Sequence, residues 1–206
     1  MAPERSSTHH STGPARKAAQ SVNSNVKRRK QSHTMRATEH PSHSFLLRYR
    51  GHSYTDCYVT EIPFQVTASQ FIEAFYTTPL FKLERFLLGA LRMPSTDAEA
   101  REVALGRRQS FAAWSVEARD ESQVILAAGR TRSWLSVAPN NSAGTRLFFG
   151  SAVVPRRSST GAQAMGFWFW ALKGFHKAYS RALLRSARQR LLAQAGAGSG
   201  SGSAAV

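Results

Sequence analysis

The sequence predicts an α+β protein in which a curved antiparallel sheet wraps around one long C-terminal helix. Three observations predict it. Met165 to Leu192 repeats apolar residues at helical spacing, and Phe111 to Val154 alternates with a period near two. Between them and the first strand, capping patterns at Thr67 and Thr96 mark two or three short helices.

The 206-residue length suits one domain with tails. Net charge is +16, spread as +6 over residues 1–43, +4 over 44–162 and +6 over 163–206. The excess therefore sits at the two ends. Residues 1–43 are rich in Ser, Thr, His, Arg and Pro, so they are expected to form a disordered basic tail. In that tail, Arg16-Lys17 and Lys27-Arg28-Arg29-Lys30 have the spacing of a bipartite import signal, a nucleic-acid contact or simply a solvated charge run. Met35 is a second candidate start of translation. The folded domain is expected over 44–193, and 194–206, built of Gly, Ala and Ser apart from Gln194 and Val206, as a flexible tail. Cys57 is the single cysteine, which excludes an intrachain disulfide and fits a reducing, cytoplasmic setting. No stretch reaches the ~18 apolar residues of a membrane span.

Order should begin near Phe45. Tyr54 to Phe64 is β-rich and ends at Pro63. Thr67 with Gln70 starts a helix through Phe71, Ile72 and Phe75, which breaks at Thr78-Pro79. Pro79 then opens a second helix, and Thr96 with Glu99 a third that stops at Gly106. Phe111 to Ala118 reads as one strand with Ala112, Trp114, Val116 and Ala118 on one side. Strands over Val124–Ala128, Thr131–Val137 and Thr145–Val154 follow, the last two joined by the turn-rich Pro139 to Gly144. In the final helix Trp168, Leu172, Phe175, Tyr179, Ala182 and Leu183 share one arc, and Lys173, Lys177, Arg181, Arg185 and Arg188 the other.

This element order resembles the helix-grip superfamily (START and polyketide-cyclase-like, SRPBCC), and within it a bacterial family of domain-of-unknown-function proteins. The resemblance covers roughly residues 50–192. It rests most specifically on Gly166, the aromatic run after it, Phe175-His176 and Arg181-Ala-Leu-Leu-Arg185, and more weakly on Tyr54-Thr-Asp56. One departure stands out: Arg130-Thr-Arg132-Ser-Trp134 lies where charged and His residues are expected. The resemblance implies a cavity between sheet and helix that takes a small hydrophobic molecule, lipid-like or polyketide-like.

The residues themselves offer lining for such a cavity: Trp114, Trp134, Phe149, Trp168, Leu172, Phe175, His176 and Tyr179. They equally suit a filled core. Alternation places Phe148 and Phe149 on opposite faces, so the two cannot line one cavity. His176, at the edge of the apolar arc, suits a general base or a structural hydrogen bond. Asp56, Glu61 and Glu117 are the acids nearest to hand, and Asp56 and Glu61 have opposite parity. A cyclase or hydrolase reading requires His176 and a carboxylate within ~3 Å of each other. Lys173, Lys177, Arg181 and Arg185 form a ridge that is either solvated or contacts anions such as nucleic acid or an anionic membrane. No nucleotide-binding or metal motif is present, and no cofactor is expected.

Overall fold

The computed structural model describes residues 35–90, 94–141, 143–155 and 167–200, with side chains over 35–86, 94–141, 143–155 and 176–197. It is an α+β fold with a seven-stranded antiparallel sheet of order β1-β2-β7-β6-β5-β4-β3. The strands are β1 (Arg36–Ala37), β2 (Tyr54–Ile62), β3 (Ser110–Phe111), β4 (Trp114–Arg119), β5 (Gln123–Ala128), β6 (Thr131–Pro139) and β7 (Thr145–Val153). Among the described residues four α-helices accompany it: α1 (Ala68–Tyr76), α2 (Pro79–Ala90), α3 (Asp97–Ala104) and α4 (Phe167–Gly200). Among the described residues, no helix is long and apolar enough to cross a membrane.

The local signals act as expected. Thr67 and Thr96 each accept from the backbone N–H three residues on, and Gln70 and Glu99 reach back to the cap N–H. Pro79 is the first residue of α2, where its missing N–H costs nothing. Gly106, at φ +76°, follows the end of α3. Arg119 reaches across from β4 to donate to the Val103 and Ala104 carbonyls at 2.5 and 3.2 Å, satisfying groups that the helix end leaves open.

Three expectations about the strands need correction. Order begins before residue 44: β1 pairs with β2 in the register Arg36↔Val59 and Ala37↔Tyr58. A two-residue strand carries no periodicity, so only the open edge of β2 reveals it. Second, Phe111 to Ala118 is a hairpin, turning at Ala112-Ala113, with Phe111 opposite Trp114. Third, the register shifts between Val116 and Ala118. That bulge reverses the alternation, so Val116 packs with the helix-side core and Ala118 with the opposite one.

Both faces of the sheet are covered. The helix-side core joins Tyr58, Leu126, Leu135 and Phe149 to α1, α3 and α4. The opposite face holds a smaller core of Leu46, Cys57, Val59, Ile125, Trp134, Phe148 and Ala152. A 3-10 turn over Phe45–Tyr49 supplies its cover, capped by Ser44. The unbroken apolar run Val124-Ile125-Leu126 has this cause, since a strand buried on both faces does not alternate. Gln123 fastens the turn to the sheet. Its Oε1 accepts from Trp134 Nε1 at 2.7 Å and from the Phe45 N–H at 3.2 Å. Its Nε2 donates to the His43 carbonyl at 2.9 Å and to Asp120 Oδ2 at 2.7 Å. At Gly150 an added Cβ would lie 2.6 Å from Leu46 Cδ1 and 2.8 Å from the Asp56 carbonyl, so this close approach admits only glycine.

The 34 residues of α4 extend ~50 Å. Tyr179, Ser180, Leu183, Leu184, Ala187 and Leu191 form its inward arc, and Ala182, expected there, is exposed. The helix also continues through residues 194–200, expected as a flexible tail. Alanine favours the helix, and each glycine costs only ~1 kcal/mol once a long helix has nucleated.

Candidate functional site

Beneath α4, β2 and β7 run side by side in the register Asp56↔Ser151 and Tyr58↔Phe149. Tyr54, Asp56, Tyr58 and Ile62 have one parity on β2, and Tyr58 and Ile62 fix it as the helix-facing one. On β7 the same face carries Leu147, Phe149 and Ser151. An acid and a serine thus meet on the apolar interior.

The Ser151 hydroxyl donates to Asp56 Oδ1 at 2.6 Å, and its backbone N–H reaches the same oxygen at 3.2 Å. From α4, His176 places Nε2 2.6 Å from Ser151 Oγ and 3.9 Å from Asp56 Oδ2. Proton counting assigns the roles. A carboxylate only accepts, so it takes the single hydroxyl proton of Ser151, and His176 Nε2 must carry the proton directed at Oγ. The chain is therefore His176 to Ser151 to Asp56. A serine whose proton goes to the acid, and which receives one from the histidine, is not being deprotonated for attack. The direct His–carboxylate contact of ~3 Å that the cyclase or hydrolase reading requires is replaced by this serine relay.

The surroundings are nearly dry. The Asp56 side chain is 8% exposed and that of His176 24%. Tyr54 meets His176 edge-on, with ring centroids 6.5 Å apart. Burial, reinforced by the Asp56 charge, pushes the Tyr54 phenol up to about 12 and the Cys57 thiol also up to about 12. Burial, the Asp56 and Tyr54 charges and a hydrogen bond to Asp56 raise the Tyr58 phenol, and the Arg181 guanidinium, 5.2 Å from its ring centroid, pulls it partly back. Further along α4, the Tyr179 hydroxyl donates to Glu84 of α2. Burial lifts the Glu84 carboxyl above its ordinary range, and the Tyr179 hydrogen bond pulls it partly back.

The expected lining residues divide. Phe149 faces the helices but packs against Phe75, the rings tilted with centroids 4.7 Å apart. Trp114 is buried against Phe81 at 4.8 Å and Phe111 at 5.5 Å, so both rings sit within a packed aromatic cluster. Trp134 is a correction. It lies on the other face of the sheet with Leu46 and Phe148, its N–H held by Gln123, and cannot line a space beneath α4. Phe148 and Phe149 do face opposite ways. His176 and Tyr179 both face inward. The side chains of Trp168, Leu172, Lys173 and Phe175 lie outside the described residues.

Of the basic ridge, Lys177, Arg181 and Arg185 are exposed, whereas Arg188 donates to the Glu61 carbonyl at 2.9 Å. The other two acids lie away from the site. Glu61 is exposed, and Glu117 joins Tyr49, Arg48 and Arg132 on the opposite face. Sequence reasoning named Asp56 but missed Ser151 and Glu84. Ser151 was recoverable by parity from Phe149, once that ring is placed facing the helix. Among the described residues, no cluster of three or more His, Cys, Asp or Glu side chains could hold a metal ion. No family profile, curated protein or solved structure matches the chain.

Proposed function

We propose that the chain is a helix-grip protein that binds a small hydrophobic molecule, lipid-like or polyketide-like, between the sheet and α4. The observation that carries this reading is the Asp56–Ser151–His176 trio, sunk in an apolar interior at the junction of β2, β7 and α4. Ligand sites typically combine apolar lining with a few convergent polar groups, and this trio supplies such a group. Native mass spectrometry of the full chain, before and after organic extraction, tests the reading. The expected result is an adduct of a few hundred daltons that extraction removes. A clean apo mass, together with no binding of any added lipophilic probe, would contradict it.

A second reading concerns the outer surface. Lys177, Arg181 and Arg185 are exposed along one ridge and make no ion pair among the described residues. That ridge suits phosphate groups of nucleic acid or of an anionic membrane. Reversing the three charges should abolish a salt-dependent association with single-stranded DNA or phosphatidylserine vesicles. Association that is unchanged by the reversal, or by salt, counts against it.

A further inference from the structure

We infer that the molecule held beneath α4 presents a hydrogen-bond donor, a hydroxyl or a protonated amine, to Asp56 Oδ2, and that carboxylate-bearing lipids are rejected there. This inference rests on the lipophilic-ligand reading and specifies the polar end of that ligand.

Asp56 is a half-satisfied carboxylate. Oδ1 of Asp56 accepts two hydrogen bonds from Ser151. Oδ2 is buried and meets no donor in good hydrogen-bond geometry, the one carboxylate oxygen among the described residues in that condition; the Tyr58 phenol, on the same face of β2, interacts with the carboxylate only in poorer geometry. His176 Nε2 is the nearby cationic candidate, but at 3.9 Å it is beyond hydrogen-bond reach and its proton is directed at Ser151 Oγ. An unpaired buried acceptor costs about 1–3 kcal/mol, and more when it carries charge. A ligand O–H or N–H recovers that energy, whereas an apolar group leaves it unrecovered. A ligand carboxylate would do worse, setting like charges together in a low-dielectric interior.

The opposite preference would come from the rest of the molecule. A net charge of +16 attracts anions and repels cations over the whole surface. Any preference for a donor over an anion must therefore originate in the site. That makes matched probes informative: decan-1-ol, decylammonium and decanoate share one apolar body and differ only at the head.

Calorimetric titration of the full chain with each probe at neutral pH tests the inference. The expected result is that decan-1-ol and decylammonium bind at least ~10-fold more tightly than decanoate, the ratio set by one charge-assisted hydrogen bond. In Asp56→Asn the advantage of decylammonium over decanoate should collapse to less than ~3-fold. If no probe binds, the lipophilic-ligand reading itself fails. If all bind but decanoate is equal or tighter on the natural chain, the reading stands and the donor inference is overturned. A preference that survives Asp56→Asn also overturns it, because it then arises elsewhere. The comparison on the natural chain needs no variant, so a D56N protein that fails to fold leaves that arm decisive.

Discussion

Ser151→Ala is the sharpest structural test of the trio. The serine is 1% exposed, and alanine fits the strand without a new contact. What is lost is one hydroxyl that donates to Asp56 at 2.6 Å and meets His176 at 2.6 Å. Asp56, its side chain 8% exposed, then keeps the Ser151 backbone N–H at 3.2 Å and the poorer contact with the Tyr58 phenol. A hydrogen bond to a charged group contributes about 1.5–3 kcal/mol. His176, 24% exposed, regains water in part, so its share is closer to 1 kcal/mol or less. The expected destabilisation is therefore ~2–4 kcal/mol, or a drop in Tm of roughly 5–15 °C for a domain of this size. Urea unfolding followed by tryptophan fluorescence measures it, since Trp114 and Trp134 are both buried. A double-mutant cycle with His176→Ala isolates the Ser151–His176 contact, with a coupling of about 1 kcal/mol. A Ser151→Ala cost below ~0.5 kcal/mol, with no coupling to His176, would refute the relay.

Other perturbations have equally definite outcomes. Gln123→Leu keeps the volume but leaves the buried Trp134 N–H and the His43 carbonyl without partners, for a loss of ~2–5 kcal/mol in the same assay. Combining it with Trp134→Phe should recover part of that loss, and strict additivity would contradict the latch. Gly150→Ala drives a methyl to 2.8 Å from the Asp56 carbonyl and should cost ~1–3 kcal/mol; a neutral effect would mean the two strands sit further apart. Glu84 gives a pH signature. Its carboxyl is raised in the folded chain, chiefly by burial, so the folded state holds the proton more tightly than the unfolded one. Stability then falls as pH rises from the ordinary carboxylate value of 4.5 through the folded value, and stays lower above it. Glu84→Gln keeps an acceptor for Tyr179 and should be more stable than the natural chain at neutral pH. That gain should vanish below pH ~4. Urea midpoints across that range decide, and a gain independent of pH contradicts the assignment.

The order of elements was legible because each boundary has a local cause. Thr67 and Thr96 cap through their side chains, and Pro79 and Gly106 act through their own backbone, each within its own segment of chain. The opposite orientations of Phe148 and Phe149 follow from the pleat alone. What escaped the sequence depends on pairing across the sheet. The bulge at Glu117 reverses one strand's alternation, and nothing in Val116-Glu117-Ala118 announces it before the partner strand is known. Trp134 reads as lining only if the sheet has a single apolar face. The run Val124-Ile125-Leu126 carried the contrary signal, that the sheet is buried on both sides. The trio needed three separate placements: Asp56 by parity, Ser151 by its register opposite Asp56, and His176 by its position on α4. Periodicity gives the face on which each of the three lies, but not the register that sets Ser151 opposite Asp56.

The most direct measurement of the central claim is a crystal structure of the full chain grown with decan-1-ol. The predicted result is an alkyl chain between α4 and the sheet, its oxygen within hydrogen-bond distance of Asp56 Oδ2. The contradicting result is a probe lying only on the surface, as against the exposed Leu83 and Phe86 of α2, with Oδ2 still unmet.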